Sequence, residues 1–402
     1  MGKSNILFLA LLLFGFTTAA QIDASFKLWM WTTGKHTFWD GKSVENYGFT
    51  IGIGSPRIPG PVLRVTEGDS VQLIVRNQSQ GAPHSVHLHG LDVNQANDGV
   101  PSTSWDIKHK ETKGYKFKAD KPGTYLYHCH VATVLHVQFG MYGSLIVEPK
   151  SKGSLAAGYN YNRDFNLLFS EADKSWFDNK PKHSTGDSVH AKFHIPKYKP
   201  DYFMVNGNGK QLIDTLVMRP DENVLIRLSA VGYFQNLVRF PGGVTATLVT
   251  SDGRVLPNKP IIDSLYLTPG ERYGVLLSPI GKSSDNIIVE YQDMNTGKSK
   301  ASELIPFTWD ATLSLANSQS KNELSVFPNP ARENLNISFP NYSDIRSFTI
   351  INNQGLTIME QVVTNFSSSI IQVDVSQFSS GVYTVILNSN EEGKISRSFV
   401  VE

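Results

Sequence analysis

Seven of the eleven histidines fall between positions 84 and 136, and the chain's single cysteine, Cys129, lies among them. Imidazole and thiolate suit borderline and soft metal ions, so this cluster points to metal or catalytic chemistry. Two segments hold six of the seven. HSVHLHG carries His84, His87 and His89; HCHVATVLHVQFGM carries His128, Cys129, His130, His136 and Met141. One cysteine excludes an intrachain disulfide framework and any cysteine-rich zinc or iron–sulfur site.

Strand geometry sorts these residues, because successive side chains on an extended strand point to opposite faces. His87 and His89 share a face, and so do His128 and His130, with Cys129 pointing the other way. An extended first segment also turns His84 away from His87. If the two strands are neighbours, His84 meets Cys129 on one face and four imidazoles meet on the other. The first set, completed by His136 and Met141, comprises two imidazoles, a thiolate and a thioether, the donor set of blue copper. Zinc could take the histidines and the thiolate but has no preference for the methionine. The four-imidazole set suits further copper and tolerates zinc. Taken singly, each residue has a plainer role: Met141 as core filling, Cys129 as a small buried hydrophobe. His36 and His109 are read as ordinary satisfied polar residues.

The elements that must position these groups are strands. PVLRVTEGDSVQLIV (61–75) puts Leu63, Val65, Val71, Leu73 and Val75 on one parity around a Gly68-Asp69 turn, and GYKFKADKPGTYLY (114–127) repeats the pattern. Similar runs lie at 161–170, 201–206, 223–229, 244–250, 264–268 and 272–278, with no amphipathic helix longer than a few turns. The fold expected is all-β: two barrels or sandwiches, at about 21–150 and 151–312, of the cupredoxin-like Greek-key kind that the resemblance of their motifs to a known family implies, followed by a small C-terminal β-sandwich. At 402 residues, with 40% hydrophobic, 18% charged, 20 prolines and 32 glycines, the chain is globular and multidomain rather than disordered. A net charge of +1 excludes a general electrostatic grip on nucleic acid or an anionic membrane.

The ends read as addresses. MGKSNILFLALLLFGFTTAA (1–20) has a lysine, an apolar run and a small-residue exit, the pattern of a secretory signal peptide, and no other run is long enough for a transmembrane helix in the mature chain. Residues 313–322 (LSLANSQSKN) fit a linker. In the segment 323–402, FPNPARENLNI, GVYTVIL and the terminal FVVE resemble the C-terminal sorting domains of type IX secretion substrates. That resemblance implies handling by the type IX machinery and a secreted or outer-surface location.

HSVHLHG resembles the H-x-x-H-x-H-G motif of the multicopper oxidase (laccase-like) family, and HCH with His136 and Met141 resembles its second copper motif. NDGVP, PGTYLYHCH, YNRDFNLLFS, DYFMVNG and LYLTPGERYGVLL resemble further family signatures across roughly 45–280. The resemblance implies a type 1 copper on His84, Cys129, His136 and Met141, and type 2 and type 3 ligands among His87, His89, His128 and His130. It implies that Asp98 assists proton delivery to oxygen; a turn aspartate before Gly99 is the plain alternative.

Two departures qualify the carry-over. The gap from Cys129 to His136 is two residues longer than in typical laccases. The family's trinuclear cluster takes eight histidines from two domains, whereas the second domain here has only His183, His190 and His194, in no H-x-H pair. Three readings follow. In the first, a homo-oligomer brings two imidazole faces together. The protein then couples one-electron oxidation of a small reducing substrate (a phenol, aromatic amine or metal ion) to dioxygen reduction, with Cys129 passing electrons through His128 and His130. In the second, the chain is a non-enzymatic blue-copper electron-transfer protein. In the third, it is a copper reductase in the manner of nitrite reductase. There the expected acid position is taken by His87 and a third ligand from the second domain is missing.

Overall fold

The computed structural model describes residues 22–309, apart from 82, 180–196, 220–221 and 281–283, and 324–401, apart from 328–330, 339–344, 353–356, 363–369, 380 and 390–393. The expected signal peptide (1–20), the linker (313–322) and His183, His190 and His194 lie outside the described residues.

The first sandwich is built from β1 (Ala24–Thr37), β2 (Ser43–Ile51), β3 (Leu63–Thr66), β4 (Ser70–Asn77), β5 (His87–His89), β6 (Thr112–Lys118), β7 (Gly123–His128) and β8 (Tyr142–Glu148). One sheet runs β2-β1-β4-β6 and the other β3-β8-β7-β5. In β4, burial alternates strictly, with Val71, Leu73 and Val75 inward, so the apolar parity seen in the sequence selects the core face. Those residues meet Leu63, Val65, Leu88, Tyr125, Tyr127 and Leu145 of the facing sheet in one core. Each such side chain taken from water contributes roughly 1.5–3 kcal/mol. Cys129 and Met141 belong to the same core, so the sulfur ligands expected from the sequence sit in its apolar interior.

The second sandwich has the same plan. One sheet runs Tyr202–Val205, Arg163–Ala172, Val224–Ala230, Arg272–Pro279, Val244–Ser251 and Arg254–Val255; the other runs Leu216–Val217, Ser299–Thr308, Ser284–Gln292, Gln235–Arg239 and Ser264–Leu267. Phe169, Phe203, Tyr291, Phe307 and Trp309 are among the members of its hydrophobic core. A third cluster joins the two sandwiches: Phe38, Leu135, Phe139 and Tyr142 of the first pack with Leu168, Trp176, Tyr202 and Val231 of the second. Buried charges reinforce this seam. Asp164 pairs with Arg227 and, at 3.2 Å, with Arg64, which also reaches Glu148 at 2.8 Å.

The C-terminal part pairs Ser325–Phe327, Asn334–Ser338 and Ile370–Asp374 in one sheet, and Thr357–Val362, Ile345–Asn352, Gly381–Ser389 and Lys394–Val401 in another. Leu335, Ile337, Tyr383, Val385 and Leu387 belong to its core. The chain is all-β as expected. Among the described residues, no helix is long and apolar enough to cross a membrane.

Candidate metal centre

β5 and β7 are antiparallel neighbours, with His87 opposite His128 and His89 opposite Leu126. β7 ends at His128, so Cys129 and His130 lie just beyond the strand, and His84 precedes β5 in an isolated bridge to Ile107. The alternation nevertheless holds past the strand ends. Cys129 turns into the core while His128 and His130 turn to the opposite side. His136 arrives from a helix, α1 (Thr133–Gln138), which starts at Ala132 in a left-handed conformation (φ 43°). The turn after α1 closes with Met141 N–H donating to the His136 carbonyl (2.9 Å), and Cys129 N–H donates to the Met141 carbonyl (3.0 Å). The backbone thereby ties three of the four expected mononuclear-site residues together.

On the buried side, Cys129 Sγ lies 3.6 Å from His84 Nδ1 and 3.2 Å from His136 Nδ1, and the two Nδ1 atoms are 3.2 Å apart. All three residues are essentially without solvent exposure, as is Met141. These separations suit atoms sharing one ion at metal–ligand distances of about 2.0–2.3 Å. Burial pushes the Cys129 thiol up to about 12, so in this apolar setting the thiolate needs a cation beside it. The edge of the Tyr47 ring closes this side, with centroids 5.8 Å from His136 and 6.5 Å from His84.

On the other side, four imidazoles converge. The His87 ring centroid lies 5.6, 5.1 and 5.3 Å from those of His89, His128 and His130, and His89 lies 5.5 Å from His128. Single ring nitrogens of His87, His89 and His128 come within 4.8 Å of one another. The tautomers are largely dictated. His87 Nδ1 donates to the Asp98 carbonyl at 2.8 Å, and His128 Nδ1 donates to the Cys129 carbonyl at 3.1 Å, which leaves each Nε2 as an electron pair. His128 Nε2 then faces His89 Nδ1 at 3.3 Å. Burial, first of all, holds His128 down to about 3 and His89 down to about 4, with the neighbouring imidazoles and Arg272 adding to the effect. His130 is lowered by burial and by His87. Neutral imidazoles with converging lone pairs are metal ligands in waiting. Both donor sets fit their expected ions on this chemistry: soft sulfur with imidazole for copper, imidazole alone for further copper.

Asp98 is both a turn residue and a neighbour of His87. It sits in a turn before Gly99, whose φ is +76° and where a Cβ would lie 1.8 Å from the Val86 carbonyl, so the turn presses onto the strand only as glycine. Its carboxylate also lies 3.2 Å from His87 Nδ1, partly open to solvent. His109, read as satisfied, donates to the Ser79 carbonyl at 2.6 Å. The buried His36 hydrogen-bonds to the Gly207 backbone and packs edge-on against Phe38.

Sequence reasoning missed what surrounds the imidazoles. Ser85 Oγ accepts from His130 N–H at 3.2 Å, and Gly270 and Arg272 of the second sandwich reach His89. Ser85 lies inside HSVHLHG and Arg272 inside LYLTPGERYGVLL, but neither carries a signal of its own there.

Residues 49–152 and 172–304 each match the multicopper oxidase family, and residues 325–402 match the secretion system C-terminal sorting domain. The chain belongs to the multicopper oxidase family, whose cofactor is copper. It is 28% identical over 271 residues to copper resistance protein A of Escherichia coli, covering 56% of this chain and 42% of that one. It is 39% identical over 95 residues to the copper-containing nitrite reductase of Neisseria meningitidis serogroup A, covering 23% of this chain and 24% of that one. In structure it resembles the blue copper oxidase of Nitrosomonas europaea, with a TM-score of 0.59 and 26% identity over 71% of this chain and 86% of that one. The chain spans less than half the length of the curated relatives it matches.

Proposed function

We propose that this protein is a secreted copper oxidase that couples one-electron oxidation of a phenol, aromatic amine or metal ion to the reduction of dioxygen to water. His84, Cys129, His136 and Met141 hold a type 1 copper; His87, His89, His128 and His130 supply half of a type 2/type 3 cluster, which a second copy of the chain completes. Copper in these sites supplies one-electron storage and oxygen binding. The chain's own residues do the rest. Cys129 is joined by single peptide linkages to His128 and His130, a covalent path between the two donor sets. Asp98 stands beside His87 at the half-exposed rim, where it can deliver protons toward oxygen. Self-association is the proposed means of completing the cluster, because a two-fold axis presents the same imidazole patch twice. Residues 1–20 direct export and 323–402 carry the protein through type IX secretion to the medium or the outer surface.

One observation carries this reading: two donor sets lie on opposite sides of a single cysteine, one with sulfur and one with imidazole alone. Metal analysis, a visible spectrum and oxygen uptake on the purified protein test it. More than one copper per chain, an intense blue band and oxygen uptake with a phenol or ferrous ion are expected. One blue copper per chain with no oxygen uptake overturns it in favour of an electron-transfer module.

A reductase is the second reading, favoured by the three ring nitrogens of His87, His89 and His128 gathered within one chain. Such a mononuclear site needs no second copy. Nitric oxide formed from nitrite under anaerobic conditions, without oxygen uptake in air, would mark it.

A further inference from the structure

We infer that the 268–272 loop of the second sandwich positions His89, with Gly270 and Arg272 as the residues that do so, giving a domain without a metal ligand among its described residues a role in the imidazole site. The inference rests on the proposed function only in taking His89 as a metal ligand.

The loop is rigid by its own bonds. Thr268 N–H donates to Glu271 Oε2 at 2.6 Å, Gly270 N–H to the Ala230 carbonyl at 2.8 Å, and Ala230 N–H to the Glu271 carbonyl at 3.1 Å. Gly270 has a φ of +91°, and a Cβ there would sit 3.1 Å from His89 Cε1 and 3.3 Å from His89 Nε2. The loop backbone therefore lies flat against the Nε2 edge of that ring. The Gly270 carbonyl accepts from Arg272 Nη1 at 2.7 Å, and the Gly270 backbone raises the pKa of His89 against the lowering effect of burial.

Arg272 is almost fully buried, and each of its contacts bears on the same place. Its Nη1 pairs with Asp252 at 2.8 Å, and its Nε donates at 3.3 Å to the carbonyl of Thr124, in β7, the strand that ends in His128. Gly90, next to His89, has a φ of +90°, and a Cβ there would sit 2.0 Å from Arg272 Nη2. Glycine at 90 is what lets the guanidinium come in against the backbone of the ligand itself. Arg272 thus spans the strand of one ligand, the backbone of another and the Gly270 carbonyl. A proton on Nε2, the edge that Gly270 lies against, places the lone pair of His89 on Nδ1, the atom 3.3 Å from His128 Nε2, and this is the tautomer the inference assigns. A ligand histidine whose distal N–H is held by a carbonyl is fixed in tautomer and orientation, and loss of such a partner typically costs 10–100-fold in metal affinity.

The test uses the full chain and copper(II) itself. In the metal-free protein, nitrogen NMR should show His89 as the Nε2–H tautomer, and Arg272→Leu should turn it into a mixture. Copper titration should show binding at the imidazole face weakened about 10- to 100-fold in Arg272→Leu, partly restored in Arg272→Lys, with the blue band unchanged in both. Gly270→Ala, which pushes on the ring without removing a charge, should give the same split and serves as the deciding variant if Arg272→Leu does not fold. An unchanged His89 tautomer and unchanged affinity in the folded variants overturn the inference. Absence of the blue band from the wild-type protein overturns the proposed function instead, and leaves the tautomer result standing on its own.

Discussion

The two sandwiches share a plan but bury their polar groups to opposite ends. In the second, each of the buried ionisable groups Arg227, Arg272, Glu303 and Glu171 has a partner: Arg227 has Asp164, Arg272 has Asp252, Glu303 has Lys210, and Glu171 accepts from the backbone N–H groups of Tyr233 and Phe234. Such satisfaction serves the fold, since a buried charge without a partner is heavily destabilising. In the first, His84, Cys129 and His136 are equally buried, and their donor atoms point at one another at 3.2–3.6 Å. Polar atoms gathered in this way serve a ligand. On the proposed function the first sandwich is the chemical one and the second a support, and each prediction below bears on that division.

The largest effect is expected from Cys129→Ser. A hydroxyl is a poor soft donor, so the intense blue band should vanish and oxygen uptake should fall to background, as read by visible spectroscopy and an oxygen electrode. Retained turnover would break the claim that electrons pass through this residue. His130→Ala comes next. It keeps His87, His89 and His128 and leaves the buried set intact, so the blue band should persist. A bridged cluster needs the fourth imidazole, and oxygen uptake should then fall to background. A mononuclear three-histidine site would survive the change, so this variant also separates oxidase from reductase. Asp98→Asn keeps the turn and its carbonyl bond to His87 but removes an acid. General acid–base residues contribute on the order of 10²–10⁴-fold, and a loss of about 10²-fold in turnover is expected. Stopped-flow traces should show unchanged anaerobic bleaching of the blue band and slowed recovery in oxygen.

Much of the site could be read from the sequence because it depends on parity. HCH and H-x-H fix which side chains share a face whatever the strands pack against, and β5 and β7 prove to be neighbours. The short helix carrying His136 could be read only as a spacing, since five residues between His130 and His136 suit several loop shapes. The contribution of Arg272 was not readable. It is 183 positions from His89 in the chain, and a buried arginine in a strand looks the same in sequence whether it meets a carboxylate or orients a ligand. In the fold, period-two runs such as 71–75 gave themselves away. The long β1 strand, whose inner residues Leu28 and Met30 are flanked by tryptophans and lysines, did not.

The smallest effect tests the supporting role of the second sandwich. Burial, opposed by the two backbone donors and Tyr198, raises the Glu171 carboxyl to about 7. Its ordinary value is 4.5, so between these two pH values the folded chain holds a proton that the unfolded chain has released. Stability from this group is therefore full below about pH 4.5 and declines as pH rises through about 7, by roughly 3 kcal/mol in all. Glu171→Gln cannot ionise, and its amide oxygen can still accept from Tyr233 and Phe234. In urea unfolding of the copper-free protein, the variant should lose this decline and be the more stable form at pH 8 by up to that amount. The blue band of the copper-loaded variant should be unchanged, because Glu171 serves the frame. An altered band would mean that the buried charges of the second sandwich reach the buried copper set, and the division between a chemical and a supporting half would have to be redrawn.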